Sequence, residues 1–226
     1  MSAITIYHGS SQIVEHPIQG VGNPHNDYGL GFYCTESEQM AMEWACSARR
    51  DGFANKYSLD ACNLETLYLK QPQYHILNWL AILLENRGFE CRTPIGAQAK
   101  DYILETFLPD YTAYDLIVGY RADDSYFSFA RAFLENGISL EQLQRAMQLG
   151  ELGEQIVVRS QAAFERLRFI SSTPVDSGIY YARRIARDRL ARQKYQEMLA
   201  ETPAAEAVYA VDILRQKWQN NDERLL

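Results

Sequence analysis

The sequence is short of the residues that announce common chemistries. It has four cysteines, Cys34, Cys46, Cys62 and Cys91, with no C-x-x-C pair and no zinc spacing. They read as small buried hydrophobes of a reducing compartment rather than as a disulfide framework. The four histidines, His8, His16, His25 and His75, are not spaced as metal ligands, so no metal is expected. The chain holds no Walker lysine loop, no G-x-G-x-x-G, no H-E-x-x-H and no G-x-S-x-G. Its longest apolar run, 76–84, is interrupted by Asn78 and is too short to span a bilayer. The first residues carry neither a basic nor an apolar signal region, and a cytoplasmic location is expected. Basic charge is scarce overall: 22 Lys and Arg against 29 Asp and Glu give a net charge of −7. That disfavours a whole surface built to grip nucleic acid, but it does not exclude a local basic patch.

What is present is an ordinary globular composition, 47% hydrophobic and 23% charged over 226 residues. The most informative stretch is Asp27-Tyr28-Gly29-Leu30-Gly31-Phe32-Tyr33-Cys34-Thr35. It reads as a glycine-jointed loop and a short strand. Thr35 is the expected N-cap of the next helix, with Glu38 completing a capping box. Met40, Ala41, Trp44, Ala45 and Ala48 share the apolar face of that helix. Upstream, residues 3–7 have strand composition and end at His8-Gly9-Ser10, before a long irregular connection over 11–26. Residues 55–60 and 64–69 read as paired short strands joined by a turn at 60–63.

Helices are expected over 74–87, 96–107 and 125–135, with a second capping box, Ser139 to Gln142, starting another. Residues 114–120 read as a buried strand, with Asp123 and Asp124 at the helix start after it. A loop over 150–153 leads to a strand at 154–159, a short helix at 160–165 and a strand at 166–170. Residues 171–177, with Pro174, read as a linker. Helices over 178–200 and 203–220 follow it. This order of elements fits an α+β fold. We divide the chain into a main domain, 1–170, and a helical C-terminal extension, 171–226.

Three strand ends carry candidate chemistry: His8-Gly9-Ser10, Gly31-Phe32-Tyr33, and Glu154-Gln155-Ile156-Val157. In this order they resemble the His–Tyr–acid pattern of the ADP-ribosyltransferase superfamily, in its polymerase-like branch. The pattern is more similar still to a bacterial domain-of-unknown-function family, number three-nine-nine-zero. Further similarity lies in 115–119, 122–124 and 155–159, and the whole runs from Ile6 to about Phe169.

The resemblance implies a split β-sandwich cleft with inserted helices. It implies binding of NAD+ and cleavage of its nicotinamide–ribose bond. By this similarity His8 bonds the adenosine-side ribose, and the Gly9 backbone, beside Ser10, holds the carboxamide. Tyr33 stacks on nicotinamide, with Trp44 or Tyr28 as further walls. Asp27 and Gly29 shape the loop around the ligand. The residue that grips the nicotinamide-ribose 2′-hydroxyl is Gln155 or Glu154. Adjacent strand residues face opposite ways, so only one of them can face the cleft.

The function implied is NAD+-dependent ADP-ribosyl transfer by a bacterial toxin or effector. An NAD+ glycohydrolase or a non-catalytic binding module on the same fold are alternatives. Arg183, Arg184, Arg187, Arg189, Arg192 and Lys194 make the 183–194 segment basic. A solvated helix, a nucleic-acid contact and an acidic, antitoxin-like protein partner all fit that segment.

Overall fold

In the computed structural model the described residues are 3–122, 124–149, 153–201, 204 and 206–225, with the side chains of 124–126 also outside the description. Asp123, the side chain of Asp124, and the expected 150–153 loop apart from Gly153 therefore lie outside the described residues. The architecture is mixed α and β, with two sheets and, among the described residues, eight α-helices. The first sheet has the order β1-β3-β7, all antiparallel: β1 (Ile4–Ser10), β3 (Gly52–Leu59) and β7 (Leu167–Val175). The second has the order β2-β6-β5-β4: β2 (Phe32–Cys34), β6 (Glu154–Val158), β5 (Leu116–Tyr120) and β4 (Thr66–Tyr68). The last pairing, β4 with β5, is parallel.

The period-two alternation of β5 and β6 decides what each face meets. Leu116, Ile156 and Val158 join Ile6, Tyr57 and Leu59 of the first sheet in one apolar cluster. Ile117 and Val157, one residue out of phase, join the helical core instead. That core is built largely from α2 (Ile76–Asn86) and α3 (Pro94–Phe107), with α4 (Asp124–Leu134) and α5 (Leu140–Ala146). Helix α2 is apolar around most of its circumference and is buried from Ile76 to Leu84, as such composition requires. Its one polar interior residue, Asn78, is satisfied by Phe107 O at 2.8 Å and Asn220. Ser139 and Gln142 form the expected capping box at the start of α5.

Among the described residues, one β-bridge links the backbones of the two sheets. Tyr7 and Thr35 exchange backbone bonds of 2.8 and 2.9 Å, and beyond this point β1 and β2 separate. Helix α1 (Glu38–Ala45) packs directly on β1: a Cβ on Gly9 would stand 2.0 Å from Ala41 O. Gly9 is therefore required by helix–strand contact, whatever else its backbone does.

Several expectations need correction. Ser37, not Thr35, caps α1, its hydroxyl accepting from Met40 N, because Thr35 is held in the bridge to Tyr7. The helix stops at Ala45, and Ala48 is exposed beyond it. Residues 55–60 and 64–69 do not pair. The turn between them exists, with Asn63 at φ 57, but the chain uses it to cross from one sheet to the other. The 171–177 linker is largely strand. β7 continues to Val175 along β3, with Pro174 opposite Phe53, which an edge strand tolerates because its outer N–H has no ladder partner. The short helix between β6 and β7 is α6 (Gln161–Phe164), and beyond β7 run α7 (Ser177–Ala200) and α8 (Ala210–Gln216), the last shorter than the span expected.

Candidate functional site

Where the sheets diverge, a cavity of about 470 Å³ opens, within the roughly 300–1,000 Å³ of small-molecule sites. Its wall includes His8, Gly9, Asp27, Tyr33, Trp44 and Gln155. Strands of both sheets thus deliver candidates that are far apart in sequence. Arg87 and Arg121 also line it, and no local pattern in the sequence had marked them. The 11–26 connection forms the remaining wall through residues such as Val14, His16 and Ile18.

That loop is tied down by buried polar groups of β3. Asn55 donates to His8 O, Ser10 Oγ and Gln12 O at 3.1–3.2 Å and accepts from Val14 N at 3.1 Å. The Tyr57 hydroxyl donates to Val14 O. A lone Asn inside a strand carries no sequence signal of this kind, so the sequence reading missed it.

His8 lies inside β1, opposite Asn55, rather than at the strand end. Its Nδ1 is 2.7 Å from Tyr33 O, and its ring stacks on Phe32 with centroids 4.3 Å apart. A carbonyl oxygen only accepts, so Nδ1 carries the proton. Burial holds the imidazole pKa below 6.5, only partly offset by the Tyr33 bond. In the neutral ring Nε2 is therefore a bare acceptor, suited to a hydroxyl.

The Tyr33 hydroxyl donates to Gly29 O at 2.6 Å and accepts from Tyr28 N at 3.1 Å. Its polar end is thus spent inside the protein, and burial raises its pKa. The half-buried ring is what Tyr33 offers a ligand. Gly29 adopts φ +73 in this turn, which explains the glycine without a ligand.

Gln155 is buried, and its Nε2 donates to Asp27 Oδ2 at 2.8 Å and reaches Tyr120 O at 3.3 Å. Both partners are acceptors, so the amide nitrogen must face them and Oε1 is left for a ligand. Asp27 also accepts from Ala122 N at 2.9 Å and faces Arg87 Nη2 at 2.8 Å. Glu154 points away: it is partly exposed, 3.6 Å from Lys70 Nζ, and is not part of the cavity wall. Of the 154–155 pair, Gln155 is the cavity residue.

Other candidates fall elsewhere. Tyr28 is core, its hydroxyl donating to Tyr120 O at 2.6 Å, and it does not reach the cavity. The Ser10 hydroxyl donates to Gln12 O and lies off the cavity wall. Gly29 also lies off that wall. Trp44 does not share the buried face of Met40, Ala41 and Ala45; it is half-buried at the cavity, with the Arg121 guanidinium 3.8 Å above its ring. Arg159, just past β6, donates to Tyr111 O and stays outside.

Residues 4–169 match the model of the family described as Protein of unknown function (DUF3990), and the chain belongs to that family. No curated protein and no solved structure matches it. Among the described residues, no helix is long and apolar enough to cross a membrane.

Proposed function

We propose that this protein is an NAD+-dependent ADP-ribosyltransferase that acts, as a toxin or effector, on a macromolecular acceptor, with the cavity as the cleft of a split β-sandwich. The observation that carries this reading is the convergence of His8, Gly9, Tyr33 and Gln155 on one cavity wall, as the resemblance to the superfamily implies. In the reaction, an acceptor atom bonds to C1′ of the nicotinamide ribose. The bond from C1′ to the ring nitrogen breaks, its electron pair leaving with neutral nicotinamide, and the acceptor gives up its proton. The ribose passes through an oxocarbenium-like state, as in glycoside cleavage.

Each wall residue has a role that follows from its hydrogen bonds. The His8 Nε2 lone pair accepts from a ribose hydroxyl. The Tyr33 ring supports the nicotinamide face. Gln155 Oε1 accepts from the nicotinamide-ribose 2′-hydroxyl and orients the sugar without adding charge.

The test is label transfer from NAD+ to a lysate. We expect transfer by the wild type, and its loss in His8→Ala and in Tyr33→Ala. Transfer that survives both substitutions rejects the assignment. Nicotinamide release with no labelled macromolecule selects the glycohydrolase.

One observation favours binding without turnover as a second reading. The Asp27 carboxylate of the cavity accepts from Ala122 N and Gln155 through Oδ2 and is ion-paired with Arg87 through Oδ1, so its charge is already balanced by a guanidinium. Calorimetry that detects NAD+ binding with no turnover would select it.

A further inference from the structure

Strand β7 is an edge of the first sheet, whose order is β1-β3-β7, and at nine residues it is long for one. The register shows which of its backbone groups are left outside. Asp60 N donates to Arg166 O at 3.4 Å, so that pair bonds across the ladder between β3 and β7. Antiparallel pairs alternate between bonded and non-bonded. Ser58 lies opposite Arg168, Leu59 opposite Leu167 and Tyr57 opposite Phe169. Arg168 therefore turns its N–H and C=O toward β3, and Leu167 and Phe169 turn theirs away from the sheet. The far side of β3 agrees. Tyr7 spends its backbone groups on Thr35, so its partner Lys56 bonds toward β7 and Tyr57 toward β1. No described residue takes up the outward groups of Leu167 and Phe169.

A groove of about 330 Å³ runs beside this edge. Pro17, Phe164, Leu167 and Phe169 line it, with the exposed Glu15 and His16. It lies on the inner side of the sheet, because Leu167 and Phe169 share a face with Tyr57, whose hydroxyl holds the 11–26 connection at Val14. The outer side differs. Strands β1, β3 and β7, of 7, 8 and 9 residues, contain no Asp or Glu. Their two Lys and Arg residues, Lys56 and Arg168, both fall on the outer side by strand alternation. Lys56 lies 5.8 Å from the Tyr7 ring centroid, and Arg168 is exposed with no ion pair to a described residue. Asp60, just past β3, is drawn into the next turn, where it accepts from Cys62 N at 3.1 Å.

These features select an occupant. Outward N–H and C=O groups at strand spacing are met by another extended chain. A second copy fits poorly. Symmetric antiparallel pairing through Leu167 and Phe169 sets Arg168 opposite its own counterpart, and like charges so placed repel. The register shift skips Ile170, and Pro174 beyond it has no N–H, so the usable edge is short and needs side-chain contacts as well. In an antiparallel partner, the residues opposite Leu167 and Phe169 point into the apolar groove. The residue between them points outward beside Arg168.

We propose that an extended segment of a partner protein, apolar at alternate positions and acidic between them, adds to the β7 edge as an antiparallel strand. His16 and Pro17 line both this groove and the cavity, so the bound strand touches a wall of the cavity. The proposal is independent of the transferase reading.

The experiment is fluorescence anisotropy of the full chain with a labelled peptide, Glu-Leu-Glu-Phe-Glu-Leu-Glu. Three analogues accompany it: one with Lys for every Glu, one N-methylated at the Leu and Phe amides, and one N-methylated at the internal Glu amides. In antiparallel addition the Leu and Phe amides face β7 and the Glu amides face away. We expect saturable binding of the parent and the Glu-methylated peptide, and none of the other two at the same concentrations. Arg168→Glu, at an exposed position, should weaken the parent about fivefold or more. Hydrogen exchange should show the Leu167 and Phe169 amides newly protected in the complex. No saturable binding of the parent up to about 1 mM, or binding that survives methylation of the Leu and Phe amides, overturns the proposal. So does equal binding of the Lys peptide or of the parent by Arg168→Glu. A wild-type dimer in analytical ultracentrifugation that protects the same two amides would overturn it too, by assigning the edge to a second copy.

Discussion

Glu154 and Gln155 are neighbours in one strand and belong to different worlds. On the outer side, Glu154 meets Lys70 at 3.6 Å with both side chains about two-fifths exposed or more, and Lys70 lies 5.3 Å from the Tyr120 ring centroid. On the inner side, Gln155 completes a buried network with Asp27, Arg87 and the Ala122 amide. The outer pair trades water for a weak attraction. The inner one is largely shielded from bulk solvent, so each group depends more on the others. Charge therefore matters little where it is conspicuous in the sequence, and greatly where a neutral glutamine sits beside it.

The strongest way to break this comparison is Asp27→Ala. It strips Arg87 of its carboxylate and leaves the Gln155 amide and the Ala122 N–H short of an acceptor. A loss of about 3–5 kcal/mol is expected in chemical denaturation. A loss below about 1 kcal/mol would show that the inner network is as slack as the outer pair.

Next is Gln155→Glu, which places the chemistry of position 154 at position 155. A second carboxylate would then face Asp27 across a 2.8 Å contact, and one of the two would hold a proton in the folded state. That folded pKa is raised, so stability should be retained at low pH and lost as pH rises through it, by about 2–3 kcal/mol at neutrality. A variant with a flat pH profile would contradict the network.

His8 should respond in the opposite sense. Its folded pKa lies below 6.5 because burial disfavours the cation. The unfolded chain then binds more protons between the two values, so stability is complete above 6.5 and declines as pH falls below it. His75 is also lowered by burial and titrates in the same direction. The quantity to measure is thus the wild-type profile minus that of His8→Asn, and no difference below 6.5 would mean that the imidazole is solvated. The smallest effect belongs to Glu154→Gln, expected within about 0.5 kcal/mol by thermal or chemical melting.

Much of the secondary structure was legible because it depends on neighbours in sequence. The Ser139–Gln142 box and the buried strand expected at 114–120, formed over Leu116–Tyr120, follow from capping and apolar composition. Strand partners were not legible, since the turn after Leu59 says nothing about which sheet receives the next strand. Thr35 failed as a cap because a long-range bridge to Tyr7 claimed its backbone. Of the site, His8, Gly9, Tyr33 and Gln155 were visible as ordered motifs. Arg87 and Arg121 were not, because their place depends on direct contact with Asp27 and Trp44, which come from distant segments of the chain.

The sequence by itself determined the local alternation that sends residues 154 and 155 to opposite sides, since that follows from strand geometry alone. It also determined the basic character of α7. Only the tertiary structure decided which side is the cavity. Asp27 comes from a loop 128 residues away, and the two acceptors it provides with Tyr120 O turn the Gln155 amide inward. Orientation of a buried amide is set by its partners, and partners so distant in the chain meet only when the sheets pack.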